Sequence, residues 1–235
     1  MAHVQQGRRG RLLASTSILT AFTLLATILF TVYIPETKGY FNFGEVGVYI
    51  SAIILPPAWA AFAGGVGSAL ADVVLGYYVY APATLVIKGL EAFTASLLAR
   101  RLKHVKMGRA QGLILTILVP APLALLGAIY YVGPAEIYLV TSAVAAEVTA
   151  ALWLVVAAIM AVFLLHLNLR GLARPQLAAA LAAGGIVMVL GYFTYEQFIL
   201  GFAALAEVPF NIMQVLVGMS VALAVEHRLR GLSFE

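Results

Sequence analysis

The chain contains no cysteine. Disulfide staples, thiolate metal sites and thiol nucleophiles are therefore excluded together. Charge is scarce too: 10% of the 235 residues are charged, against 63% hydrophobic, a balance far from that of a soluble domain. There are four histidines, His3, His104, His166 and His227. None sits in a His-Glu-x-x-His spacing, and none shares a level with Ser68 of "GVGSAL", so neither metal-assisted nor nucleophilic catalysis has an assembled site. A phosphate loop of the form G-x-x-x-x-G-K-[ST] is also absent. The nearest stretch, "GGVGSALAD", has neither the lysine nor the preceding strand. No metal, cofactor, ATP hydrolysis or other enzymatic activity is expected, and the composition points to an all-α membrane protein, one integral domain over residues 1–235.

Apolar runs are interrupted at "PETKG", "PPAW", "YVYAP", "RRLKHVKMGR", "YVGPAE", "RGLARP" and "GFAALAEVP". These breaks predict eight transmembrane helices, over residues 12–34, 43–56, 58–77, 83–102, 110–131, 135–167, 176–199 and 207–228. Residues 1–11 are expected as a cytoplasmic segment ahead of the first helix. Leu12 to Ile34 has the length of a span and no small-residue cleavage pattern, so it reads as a retained helix and not a signal peptide. The second and third helices are barely long enough to cross, and the sixth is overlong and must tilt, kink or project. Pro120 and Pro122 predict a kink in the fifth. Gly64, Ser68, Asp72 and Gly76, four apart, suit close helix packing.

Of the fourteen Lys and Arg, all but Lys38 and Lys88 fall on one side of an eight-helix trace, which the positive-inside rule makes cytoplasmic, with both termini there. That bias accounts for the pI near 9.4 without a nucleic-acid partner. The acidic and amide residues behave differently. An ionisable group in a span costs about 2.5 to 3.5 kcal/mol on insertion scales, yet Glu45, Asp72, Lys88, Glu91, Glu196, Glu207, Asn211 and Gln214 are all predicted in the outer half of the bundle. The last three lie at spacings of four and three, on one helical face. Thr84, Lys88 and Glu91 share another face, as do Tyr192, Tyr195 and Glu196.

Polar groups from several helices therefore converge on one outward-facing volume, with Tyr40, Phe41, Tyr77, Tyr78, Tyr80, Tyr192 and Tyr195 around its rim. The stretch "GYFNFGE", residues 39–45, reads as a lid or wall over a solute pocket, with Gly39 and Gly44 allowing the backbone to fold there. The competing reading makes the aromatics an interfacial belt and Asn42 and Glu45 the cap of a helix. Charges well below the interface favour the pocket. Glu147 is expected near mid-membrane, bonded to a neighbouring helix.

Three blocks, "GYFNFGE", "AGGVGSALADVVLGYYVYAPATLVIKGLEAFTASLLARRL" and "GYFTYEQFILGFAALAEVPFNIMQVLVG", resemble the membrane S component of energy-coupling-factor transporters, in particular the riboflavin-type family. The resemblance implies a six-helix core that captures a vitamin or vitamin precursor and works with a separate coupling subunit and two ATPases in the cell membrane. It also implies that residues 108–175 are an inserted helix pair, since S components typically have six helices. In related S components a small-residue face of the first helix meets the coupling subunit. Its nearest match is Ser17-x-x-x-Ala21, beside a hydroxyl row Thr16, Thr20, Thr23, Thr27 and Thr31. The carboxylate excess favours a neutral or cationic solute, and the aromatics favour a flat ring. A stand-alone proton-coupled carrier is the alternative, and it would be expected to show inverted repeats and broken helices at mid-membrane.

Overall fold

In hydrocarbon every backbone N–H and C=O must find a partner inside the protein, and the computed structural model, which describes residues 2–139, 142–172 and 174–234, meets this with helices closed at one end by a small sheet. Helix α1 runs Ala2–Ile28, followed by strands β1 (Phe30–Ile34) and β2 (Gly39–Asn42). Then come α2 (Gly44–Ile54), α3 (Pro57–Leu75), α4 (Ala81–Arg101), α5 (Arg109–Leu118) and α6 (Ala121–Tyr130). Strands β3 (Gly133–Leu139) and β4 (Ser142–Val148) lead into α7 (Ala150–Leu169), α8 (Pro175–Gln197) and α9 (Val208–Leu229). Among the described residues, seven helical stretches are long and apolar enough to cross a membrane, so the expected polytopic helical bundle is present.

Several boundaries differ from the expectation. Residues 2–11 are part of α1 and not a separate segment. The first predicted helix ends at Ile28, because "FTVYI" takes up a strand. The sixth begins only at Ala150, its overlong first half being the β3–β4 hairpin. The sheet is antiparallel throughout, in the order β2-β1-β3-β4. Glu147 accordingly lies in β4, exposed, and not at mid-membrane. The second predicted span, α2, has 11 residues, about 16 Å at 1.5 Å per residue, short of a full crossing. Around Pro120 the ladder breaks into α5 and α6, yet Val119 and Pro120 both keep right-handed helical dihedrals, which makes the feature a kink.

Close backbone approach joins the helices around the sheet end. A Cβ on Gly67 would lie 2.7 Å from the Thr20 carbonyl of α1, and one on Gly65 would lie 2.6 Å from the Leu85 carbonyl of α4, so α3 is gripped from both sides. The threonine row on α1 faces this contact. Thr16, Thr20, Thr23 and Thr27 each donate to the carbonyl four residues back, at 2.7 to 2.9 Å, which lets hydroxyls sit in an apolar bundle. Ser17 and Ala21 lie on the opposite, exposed side of α1. At the far end of the bundle, Arg100 donates to the Ala52 and Phe234 carbonyls, and Arg174 pairs with Glu226.

A candidate site: a small polar chamber at the sheet end

Five helices, α1, α3, α4, α8 and α9, and the first hairpin supply the walls. Each polar side chain is placed by an identifiable local cause. Gly76 at φ 86 ends α3 one turn after Asp72, a left-handed cap that only glycine takes up without strain. Tyr77 and Tyr80 follow in the turn into α4, on which Thr84, Lys88 and Glu91 fall one turn apart. Helix α8 ends at Gln197, so Tyr192 and Glu196 occupy its last turns. Pro209 in the first turn of α9, where a missing N–H is harmless, is followed by Asn211 and Gln214.

Together these elements enclose a small cavity of about 50 Å³. Tyr40, Asn42, Asp72, Tyr80, Lys88, Tyr192, Glu196, Glu207, Asn211 and Gln214, all singled out from the sequence, line it. Thr27, Gly39, Ser68, Tyr77 and Thr84 complete the lining. Glu45 and Glu91 are not wall residues; both are buried beneath it and bracket Lys88, Glu45 in direct ion pair and Glu91 at 3.5 Å. The Lys88 ammonium also sits 5.5 Å from the centre of the Tyr192 ring. The three other rim aromatics do not line it: Phe41 is in the core at 4% exposure, Tyr78 points outward at 68%, and Tyr195 donates to the Val79 carbonyl.

On the wall, the Tyr40 phenol donates to Asp72 Oδ1 at 2.5 Å, and Tyr192 donates to Thr84 at 2.9 Å. Thr37, in the turn between β1 and β2, donates to Glu207, and Gln214 Nε2 reaches the Tyr40 carbonyl at 3.4 Å. These two bonds tie the hairpin down over the cavity. Asn42 does what the competing reading required, accepting the Gly44 N–H at 2.7 Å at the start of α2. Tyr40, Tyr77 and Tyr80 form a chain of ring contacts, Tyr40 to Tyr77 at 4.5 Å and Tyr77 to Tyr80 at 6.4 Å, ending on Tyr195 5.8 Å beyond. Burial, and then the negative charge of Asp72, hold the Tyr40 phenol well above its usual range. Burial followed by the charges of Tyr33, Asp72 and Glu207 pushes Tyr77 up to about 12. Burial and then Glu196 and Glu207 raise Tyr80. All three phenols stay protonated at neutral pH and are available as donors.

Besides the ion-paired Lys88, five polar atoms of the described wall residues have no hydrogen-bond partner: Ser68 Oγ, Asp72 Oδ2, Tyr80 Oη, Glu196 Oε2 and Asn211 Nδ2. An unpartnered buried group of this kind costs about 1 to 3 kcal/mol, and five around one cavity make it suited to hold something polar. Thr27 and Ser68 are the wall residues that sequence reasoning assigned elsewhere, to a hydroxyl row and to helix packing. Ser68 stands one helical turn before Asp72, so its placement was available from that spacing.

A polytopic helical bundle with a buried, polar, aromatic-walled chamber at one end is a membrane transport component. The sequence pattern of the family described as "ECF-type riboflavin transporter, S component" matches residues 10–167, most of the chain. The chain belongs to that family of transporter S components. A protein of Pyrococcus woesei described as an uncharacterized protein in gap 3' region is 49% identical over 67 residues, 28% of this chain and 45% of that protein. The match thus spans less than half of that relative's length.

Proposed function

We propose that the chain is the solute-capturing subunit of an ATP-driven importer, binding a small, flat, vitamin-like ring compound in the chamber at the sheet end. The observation that carries this reading is the convergence of Tyr80 Oη, Glu196 Oε2 and Asn211 Nδ2, buried and unpartnered, on one cavity walled by tyrosines in tilted and edge-on ring contact. Uptake is driven by a coupling subunit and two ATPases, in keeping with the missing phosphate loop, and the exposed Ser17 and Ala21 face of α1 meets the coupling subunit. The chamber opens away from the cytoplasm, and both termini lie inside.

The cavity is narrow, whereas ligand sites for small molecules enclose about 300 to 1,000 Å³. Entry of a solute therefore displaces the β1–β2 hairpin, which side chains hold to the wall through Thr37–Glu207, Tyr40–Asp72 and Gln214–Tyr40. The test is to extract the protein in detergent without nucleotide and measure by mass spectrometry what leaves with it on denaturation. A single stoichiometric ring compound, with uptake in vesicles that needs the coupling subunit and ATPases, supports the reading. Concentrative uptake by this chain alone under a proton gradient would overturn it in favour of a secondary carrier.

A further inference from the structure

Five carboxylates belong to the chamber and its floor, Glu45, Asp72, Glu91, Glu196 and Glu207, and Lys88 is the one basic side chain among the described residues that line it. Lys88 is already committed. It is bracketed by Glu45 and Glu91 and buried with them at 5%, 1% and 0% exposure, so it has no charge to spare for the opposite wall. Asp72 is answered by the Tyr40 phenol and Glu207 by the Thr37 hydroxyl, both neutral donors. Glu196, at 4% exposure, keeps Oε2 without any partner although it faces the cavity. A carboxylate taken out of water is stable only with a proton or a cation beside it, and no side chain on this wall is that cation.

The aromatic surroundings point the same way. Tyr77 and Tyr80 present ring surface to the same cavity, and a ring face attracts positive charge once water is excluded. The chamber already holds one ammonium over a ring, Lys88 on Tyr192.

Resting on the reading that this chamber is the solute site, we infer that the solute is an organic cation, a flat ring bearing a positive charge, seated with that charge between Glu196 and Glu207 and against Tyr77 and Tyr80. An anionic solute meets an excess of carboxyl groups over cations in this geometry, and a neutral one leaves Glu196 to be answered by a proton alone. The Asn211 amide and the Tyr80 phenol take the hydrogen-bonding edge of the same ring.

The experiment uses the full chain in detergent and two matched probe pairs, each differing in charge but hardly in shape. The first pair is thiamine and deazathiamine, its neutral thiophene isostere. The second, smaller pair is 1-methylnicotinamide and nicotinamide. The expected result is that in at least one pair the cation binds about tenfold or more tighter than its neutral partner. Glu196→Gln, which keeps the side chain's shape, should erase that preference while leaving the melting temperature unchanged. Glu207→Gln gives a second variant should the first fold poorly. A cation that is never favoured in either pair, whether because the neutral partner binds equally or because no probe binds, overturns the inference. The solute-site reading is then judged separately, by whether Asn211→Ala abolishes retention of the co-purifying compound.

Discussion

Asn211 and Gln214 lie one turn apart on α9, and the two amides differ in what they lose on truncation. Asn211 Nδ2 has no protein partner, so Asn211→Ala takes nothing from the free protein and removes a donor only from the bound state. Gln214 holds the Tyr40 carbonyl at 3.4 Å, long for a hydrogen bond, so its loss loosens the hairpin slightly. Removing one such group costs about 1 to 3 kcal/mol of binding, roughly tenfold to a hundredfold in affinity. Both substitutions are therefore expected to weaken solute binding at least about tenfold, with a nearly unchanged melting temperature for Asn211→Ala. Leu216, on another face, looks like a neutral control from its position in the sequence, but it is fully buried, and a cavity there costs about 2 to 5 kcal/mol of stability. Val221, 38% exposed on the same helix, serves instead: Val221→Ala should alter neither quantity. Calorimetric titration and thermal melts of the variants read both, and intact affinity with a lowered melting point would make the two amides interhelical glue. The polar wall was legible because charge in an apolar chain is expensive and helical spacing then assigns its face. Ser68 and Thr27 escaped because small hydroxyl residues are common in lipid-embedded helices for packing alone.

Among the elements, the helices could be read and the sheet could not, for a physical reason. "FTVYI" is an unbroken apolar run continuous with α1, and "GPAEIYL" with "SAVAAEV" is rich in alanine and lacks polar alternation, so neither shows the period of two that marks a half-buried strand. Their strand state depends on pairing between residues some hundred positions apart, Thr31 with Tyr138 and Val32 with Ile137, a tertiary effect that local propensity does not contain. The helix contacts were partly legible. Gly64 in the four-residue row of α3 packs against α4 as expected, but Ser68 and Asp72 in the same row turn to the chamber. Glycines at true contacts give a sharp test. A Cβ on Gly218 would fall 2.4 Å from Glu45 Cβ and 2.8 Å from its carbonyl carbon, forcing α9 away from α2 and pulling Glu45 off Lys88. Overpacking of this kind costs about 1 to 3 kcal/mol. Gly89, where such a Cβ would meet the Ala61 carbonyl at an ordinary 3.5 Å, has room. Thermal melts should show Gly218→Ala destabilised and Gly89→Ala unchanged or stabilised by about 0.5 to 1 kcal/mol. Equal melting points for the two variants would show that the α2–α9 approach is looser than described.

For the molecule as a whole, function depends on which end faces outward, and the chain itself supplies a clean way to ask. Basic residues gather at the end opposite the sheet, where Arg100, Arg101, Lys103, Lys106 and Arg109 follow the end of α4 and Arg170 and Arg174 join α7 to α8. Such a bias is retained on the cytoplasmic side during insertion, which would leave the sheet and the mouth of the chamber outside, where an importer must collect its solute. The opposite orientation would give a chamber that could only collect from within. Because the native sequence has no cysteine, a single introduced thiol is the only one present and needs no background removed. Lys38 in the β1–β2 turn and Lys106 in the loop after α4 are both exposed, so neither substitution disturbs packing. A membrane-impermeant maleimide added to intact cells should label Lys38→Cys and leave Lys106→Cys untouched until the membrane is opened. Saturating solute should speed labelling at Lys38, because its entry displaces the β1–β2 hairpin from the wall, while leaving Lys106 in opened membranes unaffected. Labelling of Lys106→Cys from outside would reverse the orientation and with it the direction of transport. Labelling of Lys38 from outside at a rate indifferent to solute would keep the orientation but deny the hairpin its part in binding.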